Sequence, residues 1–495
     1  MYFPAKSSLN HVMVNGSEDG LRLTSAEVEF NAVQVYSSQY GAEISNATVS
    51  CNDCTFSSSS TYGNAISLDS LSTVTLTRCL IVDSYYGIVC RDAWHWLNIT
   101  DCSFRNNRAG AIYLEGYYYY YYYAVTHSTL LLRRSVFAGN LHAVYIYQYY
   151  AAFDILVEAT DNVIESADSE ENIITVSGFY INLRATGSQA RVALQRNIFR
   201  NLPYSAISIS RCYGPSLLGN INVTVTENNF DSMSETAVKF DCLDNASMLI
   251  QSNTFRQNRV NAGSSCLSIS LTEGGNTSSA ELRVNRNEFR ENSGTLVGNI
   301  IRSGHFSISP GGSRLLEFVS NTFVDNTALD STIYSEFSDL NMHFNAYSNQ
   351  RARFELRVGF PAEEFANCTY NWWGVSTEVD IAARIFDYSD MTSVGTVLYV
   401  PFLKSLHFTC TALSDCSGHG RCVHHDTCLC DDGWSGVDCS VYSCSDVYDC
   451  SNRGQCVGPN FCRCDSGWLQ PDCSRASCLL QNNCSNRGVC YSPNV

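Results

Sequence analysis

The stretch Met248-Leu249-Ile250-Gln251-Ser252-Asn253-Thr254-Phe255 returns as Leu282-Arg283-Val284-Asn285-Arg286-Asn287-Glu288-Phe289, and again as Leu316-Glu317-Phe318-Val319-Ser320-Asn321-Thr322-Phe323. Its fixed points are an Asn, apolar residues five and three places before it, and a large apolar residue two places after it. The Asn slot recurs at Asn162, Asn197, Asn228, Asn253, Asn287, Asn321, Asn345 and Asn371, at intervals of 24 to 35 residues. The residues two places on are Ile164, Phe199, Phe230, Phe255, Phe289, Phe323, Tyr347 and Trp373. Upstream, the frame continues with Cys54, Cys79, Cys102 and Ser135 in the slot and Phe56, Ile81, Phe104 and Phe137 after it, giving twelve registers. A pattern repeating at this interval marks a solenoid. Apolar residues at minus five and minus three have a period of two, which marks a strand with one buried face.

These observations predict an all-β fold: a right-handed, single-stranded parallel β-helix of about twelve coils. Successive coils stack about 4.8 Å apart, so the rod is roughly 60 Å long. The slot residue belongs at a corner, where stacked Asn side chains hydrogen-bond along the column and satisfy bent backbone. A second Asn at plus five (Asn107, Asn140, Asn258, Asn292, Asn326) marks the following turn. The Asn column is therefore read as scaffolding rather than as a ligand site.

The 495 residues include 31 basic and 48 acidic side chains, a net charge of −17, with lysine only at Lys6, Lys239 and Lys404. Acidity of this size argues against nucleic acid and anionic membrane surfaces as partners. Fifteen of the 24 cysteines follow residue 409. Cys410 to Cys439 and Cys444 to Cys473 share the spacing C-x5-C-x5-C-x5-C-x-C-x8-C, and a third set begins at Cys478, Cys484 and Cys490. Modules this small need disulfides, which persist in oxidising compartments. Eight N-x-S/T acceptors agree: Asn15, Asn46, Asn98, Asn222, Asn245, Asn276, Asn367 and Asn483. Alternation turns Asn98, Asn222 and Asn367 outward, and no slot Asn is an acceptor. Six cysteines allow 15 connectivities on sequence alone.

The cysteine modules resemble epidermal-growth-factor-like repeats of the tenascin-like variety. The resemblance rests on C-S-G-H-G-R-C and C-L-C-D-D-G-W-S-G-V-D-C in the first module, and on C-S-N-R-G-Q-C and C-R-C-D-S-G-W in the second. It implies pairing of Cys410 with Cys422, Cys416 with Cys428, Cys430 with Cys439, Cys444 with Cys456, Cys450 with Cys462, Cys464 with Cys473, and Cys478 with Cys490. The acidic run of calcium-binding members is missing before Cys410 and Cys444, so calcium is not expected. A second resemblance covers Asn371-Trp372-Trp373-Gly374, Arg384-Ile385-Phe386-Asp387 and Pro401-Phe402-Leu403, which look like the closing segment of β-helix regions in the bark beetle family. That resemblance implies an extracellular adhesion setting more than a specific epithelial junction. Trp372 and Trp373 read as a hydrophobic cap over the last coil, since a stacked sheet must cover its open end.

The expected domains are a β-helix over 1–403 with its closing segment at 371–403, modules at 410–442 and 443–476, and a truncated module at 477–495. Cys54, Cys79 and Cys102 occupy the slot on successive coils, within disulfide reach, so one bonded pair is expected among them. Cys51 and Cys368, at minus three, point inward. Cys51-Asn52-Asp53-Cys54 has no second C-x-x-C at zinc spacing, so one core and one corner cysteine are expected rather than a metal site. No apolar leader stands at Met1 to Gly20 and no stretch of 18 apolar residues occurs, which suggests a piece of a larger extracellular protein.

Parallel β-helices also act on polysaccharides, so a carbohydrate-active enzyme is the alternative. Gly418-His419-Gly420 and Asp431-Asp432 imitate hydrolase elements but lie in a cysteine module. Hydrolysis needs two carboxylates about 5–9.5 Å apart, and no acidic column appears in the frame. Catalytic residues, metal and cofactor are accordingly expected to be none. Long coils gain their extra residues at one corner, at Tyr117–Tyr123, Tyr213–Gly219, Glu273–Ser279 and Pro310–Ser313. Insertions sharing one face often mark a binding face. The run Tyr117, Tyr118, Tyr119, Tyr120, Tyr121, Tyr122, Tyr123 is the candidate contact patch, against a bland reading as low-complexity sequence. The expected function is extracellular adhesion or reception of a protein or glycan partner, with no nucleic acid and no membrane contact of its own.

Overall fold

The computed structural model describes residues 7–68, 72–91, 95–116, 127–148, 154–166, 177–183, 189–210, 220–241, 246–259, 265–272, 280–302, 314–328, 330–349, 351–405, 410–424, 427–431, 433–469 and 471–477. The chain forms two compact units, Met1–Lys404 and Ser405–Val495.

The first unit is a parallel β-helix. One coil illustrates its plan, with strands Thr73–Thr77, Leu80–Val82 and Tyr86–Cys90 on three successive faces. Each strand pairs in parallel with its counterparts one coil before and after. Val74 sits between Val49 and Leu97, Ile81 between Phe56 and Phe104, and Ile88 between Ile66 and Ile112. The first face is a sheet of fifteen strands. The second and third faces join at their start, because strand Gln34–Ser45 pairs with both Thr55–Ser58 and Asn64–Leu68.

Two coils precede the twelve expected, with Val12 and Val33 in the slot and Val14 and Val35 two places on. Valine there removes both the polar slot and the large residue that reveal the frame. Fifteen strands at about 4.8 Å per step extend the rod to roughly 67 Å. These coils carry a different marker, an outer ladder in which Asn31 donates to Asn10 at 2.9 Å and Asn52 to Asn31 at 3.1 Å.

The plus-two residues stack through the core. Rings from Phe199 to Trp373 lie 4.5 to 5.1 Å apart in a continuous file through Phe230, Phe255, Phe289, Phe323 and Tyr347. All are fully buried, and Trp373 ends the file over Tyr347. Each ring contributes burial of about 1.5–3 kcal/mol, with aromatic contact adding about 0.5–1.5 kcal/mol per pair.

The slot Asn residues form a second file with fixed wiring. Asn253 Nδ2 donates to Asn287 Oδ1 at 2.9 Å and back to Val225 O at 2.8 Å, while Asn253 N donates to Asn287 Oδ1 at 2.9 Å. The same pattern joins Asn162 through Asn371. The cysteines use this wiring too. Cys54 Sγ reaches back to Phe30 O, Cys79 Sγ to Cys51 O, and Cys102 Sγ accepts from Cys79 N at 3.3 Å. Cys54, Cys79 and Cys102 are unbonded thiols, contrary to the pair expected among them. The Cys54 and Cys79 sulfurs point to the carbonyls that an Asn would serve, and Cys102 Sγ reaches Thr100 O at 3.3 Å, so the ladder is hydrogen-bonded rather than covalent along this stretch.

A parallel ladder runs through Asn258, Asn292 and Asn326 to Asn349, which sits at plus four. It ends on Glu355, a fully buried carboxylate that accepts from Asn349 at 2.9 Å, Thr332 at 2.7 Å and Arg384 at 2.6 Å. Burial pushes the Glu355 carboxyl up, and these hydrogen bonds oppose that rise. The closing segment thus supplies both ladder ends, Asn371 for the first and Arg384 for the second. Its Asp387 accepts from Ser389 N and Val397 N and holds the final turn.

The residue just before each slot has positive φ although none is glycine, from His11 through Asp53, Arg78 and Asp101 to Tyr370. Left-handed backbone costs roughly 1–2 kcal/mol at such residues. The amide of each nevertheless bonds the next coil, as Arg78 N does to Thr100 O at 3.0 Å. The conformation also turns these side chains outward into an alternating ion ladder: Asp53, Arg78, Asp101, Arg134, Asp161, Arg196, Glu227. Along this corner, charge alternates coil by coil.

The second unit contains two described modules. Cys410 bonds Cys422, Cys416 bonds Cys428 and Cys430 bonds Cys439; Cys444 bonds Cys456, Cys450 bonds Cys462 and Cys464 bonds Cys473. Each module has a short hairpin, Gly420–His424 with Thr427–Cys430, and Gly454–Gly458 with Phe461–Cys464. His419 stacks on Trp434, and Arg453 lies 3.9 Å over Trp468 in the equivalent place. His419 is thereby engaged within its module.

Candidate ligand-binding face

The insertion corner lies between the third face and the first. Gly116 ends the strand that leads into Tyr117–Tyr123, and His127 begins the strand that follows. Tyr117–Tyr123 lies outside the described residues, as do the other three insertions noted above (residues 213–219, 273–279 and 310–313), Cys212, Cys242, Asn245, Asn276, Asn483, Cys478, Cys484 and Cys490.

The third face beside this corner carries tyrosines the sequence reading missed. Tyr113, Tyr145 and Tyr180 are in register on successive coils. Their rings stack at 4.8 and 5.0 Å, within 2° and 7° of parallel. Gly110 occupies the register position beside Tyr86, and the Tyr86 ring leans across it onto Tyr113 at 4.6 Å. Tyr85 and Tyr62 extend the group edge-on. Burial, followed by the negative charge of neighbouring groups, raises the Tyr113 and Tyr145 phenols, Tyr145 to about 12. They are neutral at physiological pH and present hydroxyls as donors. His142 bonds Ser177 Oγ at 2.6 Å, and burial lowers its pKa, so it too is neutral.

Across the next corner, the same coils carry Leu80, Val136, Val163 and Ile198 at outward positions of the second face, with Ser103 in line. Beyond Ile198 this column turns polar, with Asn229, Thr254 and Glu288. The stacked tyrosines and the apolar run therefore lie on neighbouring faces of the same stretch of coils. These side chains are half-buried, with Leu80 exposed, and together they form a contiguous apolar surface; large surfaces of this kind are associated with interaction sites, where tyrosine is enriched.

These tyrosines escaped the sequence frame because their offset from the slot varies. Tyr86 stands seven residues after Cys79, Tyr113 eleven after Cys102, and Tyr180 eighteen after Asn162. The second turn of each coil differs in length, so no fixed column collects them.

Of the described glycan acceptors, Asn15, Asn46 and Asn222 are exposed, and Asn98 and Asn367 are half-buried. Asn98, Asn222 and Asn367 sit on the first face. The tyrosine face carries no acceptor among the described residues.

The face offers binding chemistry. Glu115, 3.4 Å from the Tyr113 hydroxyl, is the carboxylate beside the stacked tyrosines. Elsewhere on the rod, several acids are tied to arginines: Glu281 and Glu317 to Arg283, Glu288 to Arg290, Asp330 to Arg357. The clustered metal-type ligands among the described residues are Cys410, Cys416 and Cys428, and Cys444, Cys450 and Cys462, all in disulfides.

Three family models match the chain. The right handed beta helix region matches residues 7–122. The Teneurin-like EGF domain matches residues 414–442, and the EGF-like domain matches residues 444–473. No curated protein and no solved structure matches it. The chain is a right-handed β-helix followed by EGF-like modules. Its disulfide-rich modules fit an extracellular region with a binding or adhesion role. Among the described residues, no helix is long and apolar enough to cross a membrane.

Proposed function

We propose that this chain is the recognition region of an extracellular adhesion or receptor protein, working by binding rather than catalysis. The observation that carries this reading is the Tyr113–Tyr145–Tyr180 stack, continuous with Tyr86 and bordered by the apolar second face on the same coils. Stacked rings present a rigid surface that loses little entropy on binding. The EGF-like modules serve as disulfide-stapled spacers. Their company, together with the closing segment that resembles the bark beetle family, supports an epithelial cell-surface or matrix setting with a protein or glycan partner.

The rival reading is a polysaccharide enzyme. The ion-paired acids along the rod argue against it, since a hydrolase requires a carboxylate pair facing substrate. Two assays separate the readings. The secreted chain should bind epithelial cells or their matrix, and Tyr145→Ser should weaken that binding about tenfold, the loss of one central aromatic contact of about 1.4 kcal/mol. Turnover of any member of a polysaccharide panel, abolished by replacing a β-helix acid, would overturn the binding-only reading.

A further inference from the structure

A groove of about 490 Å³ opens on the first face at the foot of the insertion corner, lined by His127, Thr129, Asp154, Leu156, Arg191 and Asn222, among others. Its walls mix polar side chains with apolar surface from Ile155, Leu156 and Ala190. Asp154 is held by His127 Nδ1 at 3.2 Å and by Gln189 N at 2.9 Å, so its carboxylate is fixed in place. Its floor is one outward column of the sheet. Asn222 pairs with Arg191, Arg191 with Leu156, Leu156 with Thr129, and Thr129 with Trp96.

Asn222 is both a wall of this groove and the acceptor of Asn222-Val223-Thr224. A sugar attached there meets a different surface in each direction. Toward the C-terminus the column continues with Ser247 and the acidic Glu281. Toward the N-terminus it offers the Arg191 guanidinium, the apolar Leu156, the largely buried Thr129 and then the exposed ring of Trp96. A pyranose has polar edges and apolar C–H faces, and this sequence of donor, apolar and aromatic groups matches both. The coil step of about 4.8 Å places the whole run within about 20 Å of Asn222.

We propose that the groove holds the chain's own N-linked glycan, attached at Asn222 and laid along Arg191, Leu156 and Thr129 toward Trp96. The glycan covers this part of the first face and leaves the tyrosine face as the open surface on these coils. The inference rests on the extracellular reading, because the acceptor must pass through a glycosylating compartment.

The test is site-resolved release of glycans from the native secreted chain by a peptide-N-glycanase, followed by peptide mass mapping. Asn15 and Asn46, both exposed and outside the groove, are internal references. Release at Asn222 is expected to be about tenfold slower, the factor that one or two hydrogen bonds to the sugar represent. The exposed pair His127→Ala and Arg191→Ala should restore release at Asn222 to the reference rate. Equal release at all sites in the unaltered chain overturns the proposal, as does slow release that persists in the double variant. Thr224→Ala, which removes the acceptor without touching the groove wall, gives a second reading. Arg191 should become more reactive toward phenylglyoxal in that variant, and unchanged reactivity overturns the proposal. Occupied Asn15 and Asn46 with bare Asn222 sinks the groove assignment alone. Bare asparagines at every site sink the extracellular reading.

Discussion

Replacing Asn287 by Leu should cost about 2–6 kcal/mol of stability, although a side chain of similar size fills the space. Asn287 Oδ1 accepts from Asn253 N and Asn253 Nδ2, both at 2.9 Å. Its Nδ2 donates to Ile250 O at 2.9 Å and to Asn321 Oδ1 at 3.0 Å. Leucine does none of this. Asn253 Nδ2 keeps Val225 O, and Asn321 Oδ1 keeps Asn287 N. What is stranded is the Asn253 N–H, together with the ladder bond to Ile250 O, both in the dry interior. Each buried group left unsatisfied costs about 1–3 kcal/mol. Asn31→Ala is the control, since Asn31 also stacks on its neighbours but on the outer surface, where water replaces lost partners. That change should stay within about 0.5 kcal/mol. Urea unfolding of the intact, disulfide-bonded chain, followed by far-ultraviolet circular dichroism and by amide exchange at Asn253, measures both. A midpoint for Asn287→Leu no lower than that of Asn31→Ala would refute the view that the ladder acts by satisfying buried backbone.

Three further outcomes follow from the same structure. Arg384→Ala leaves the Glu355 carboxylate buried without its cation and should destabilise the closing end by about 3–5 kcal/mol, read as early loss of amide protection at residues 354–358. Because the folded Glu355 pKa is raised, the native state holds a proton that the unfolded chain has released, so stability falls as pH rises from the ordinary glutamate pKa through the folded one and is level above it; in Arg384→Ala that window should reach higher pH, a trend absent from Glu355→Gln. Asp53, Asp101 and Asp161 are held below the ordinary aspartate range by hydrogen bonds from Arg78, Arg134 and Arg196, so the corner ladder is at full strength above the unfolded aspartate pKa and is lost as pH falls through the folded values; Arg134→Ala should return Asp101 toward its ordinary pKa by NMR titration, with a small stability change that salt abolishes.

The sequence exposes what repeats at a constant offset. The slot, the apolar residue at plus two and the inward pair before the slot keep their offsets from coil to coil because the bend and its buried carbonyls recur, so a linear reading recovers the first face and the plus-two file. The same reading fails at Val12 and Val33, where the slot keeps its geometry but loses its polar side chain. It misjudges Cys54, Cys79 and Cys102, because stacking distance alone does not decide whether sulfur turns to sulfur or to a carbonyl. It passes over Asp53, Arg78, Asp101 and Arg134, whose alternation appears once the residue before the slot is read as a column of its own. The tyrosine face is harder still. Its register is set after a turn of variable length, so Tyr113, Tyr145 and Tyr180 align in space without aligning in sequence.

Hydroxyl-radical footprinting of the secreted chain, free and bound to epithelial matrix, tests the central claim most directly. The account predicts protection at Tyr113, Tyr145 and Tyr180 and at Val163 on the adjoining face, with little change at Phe365, an exposed ring on the first face far from the tyrosines. Protection confined to the first face, or binding with the three tyrosines as reactive as in the free chain, would contradict it.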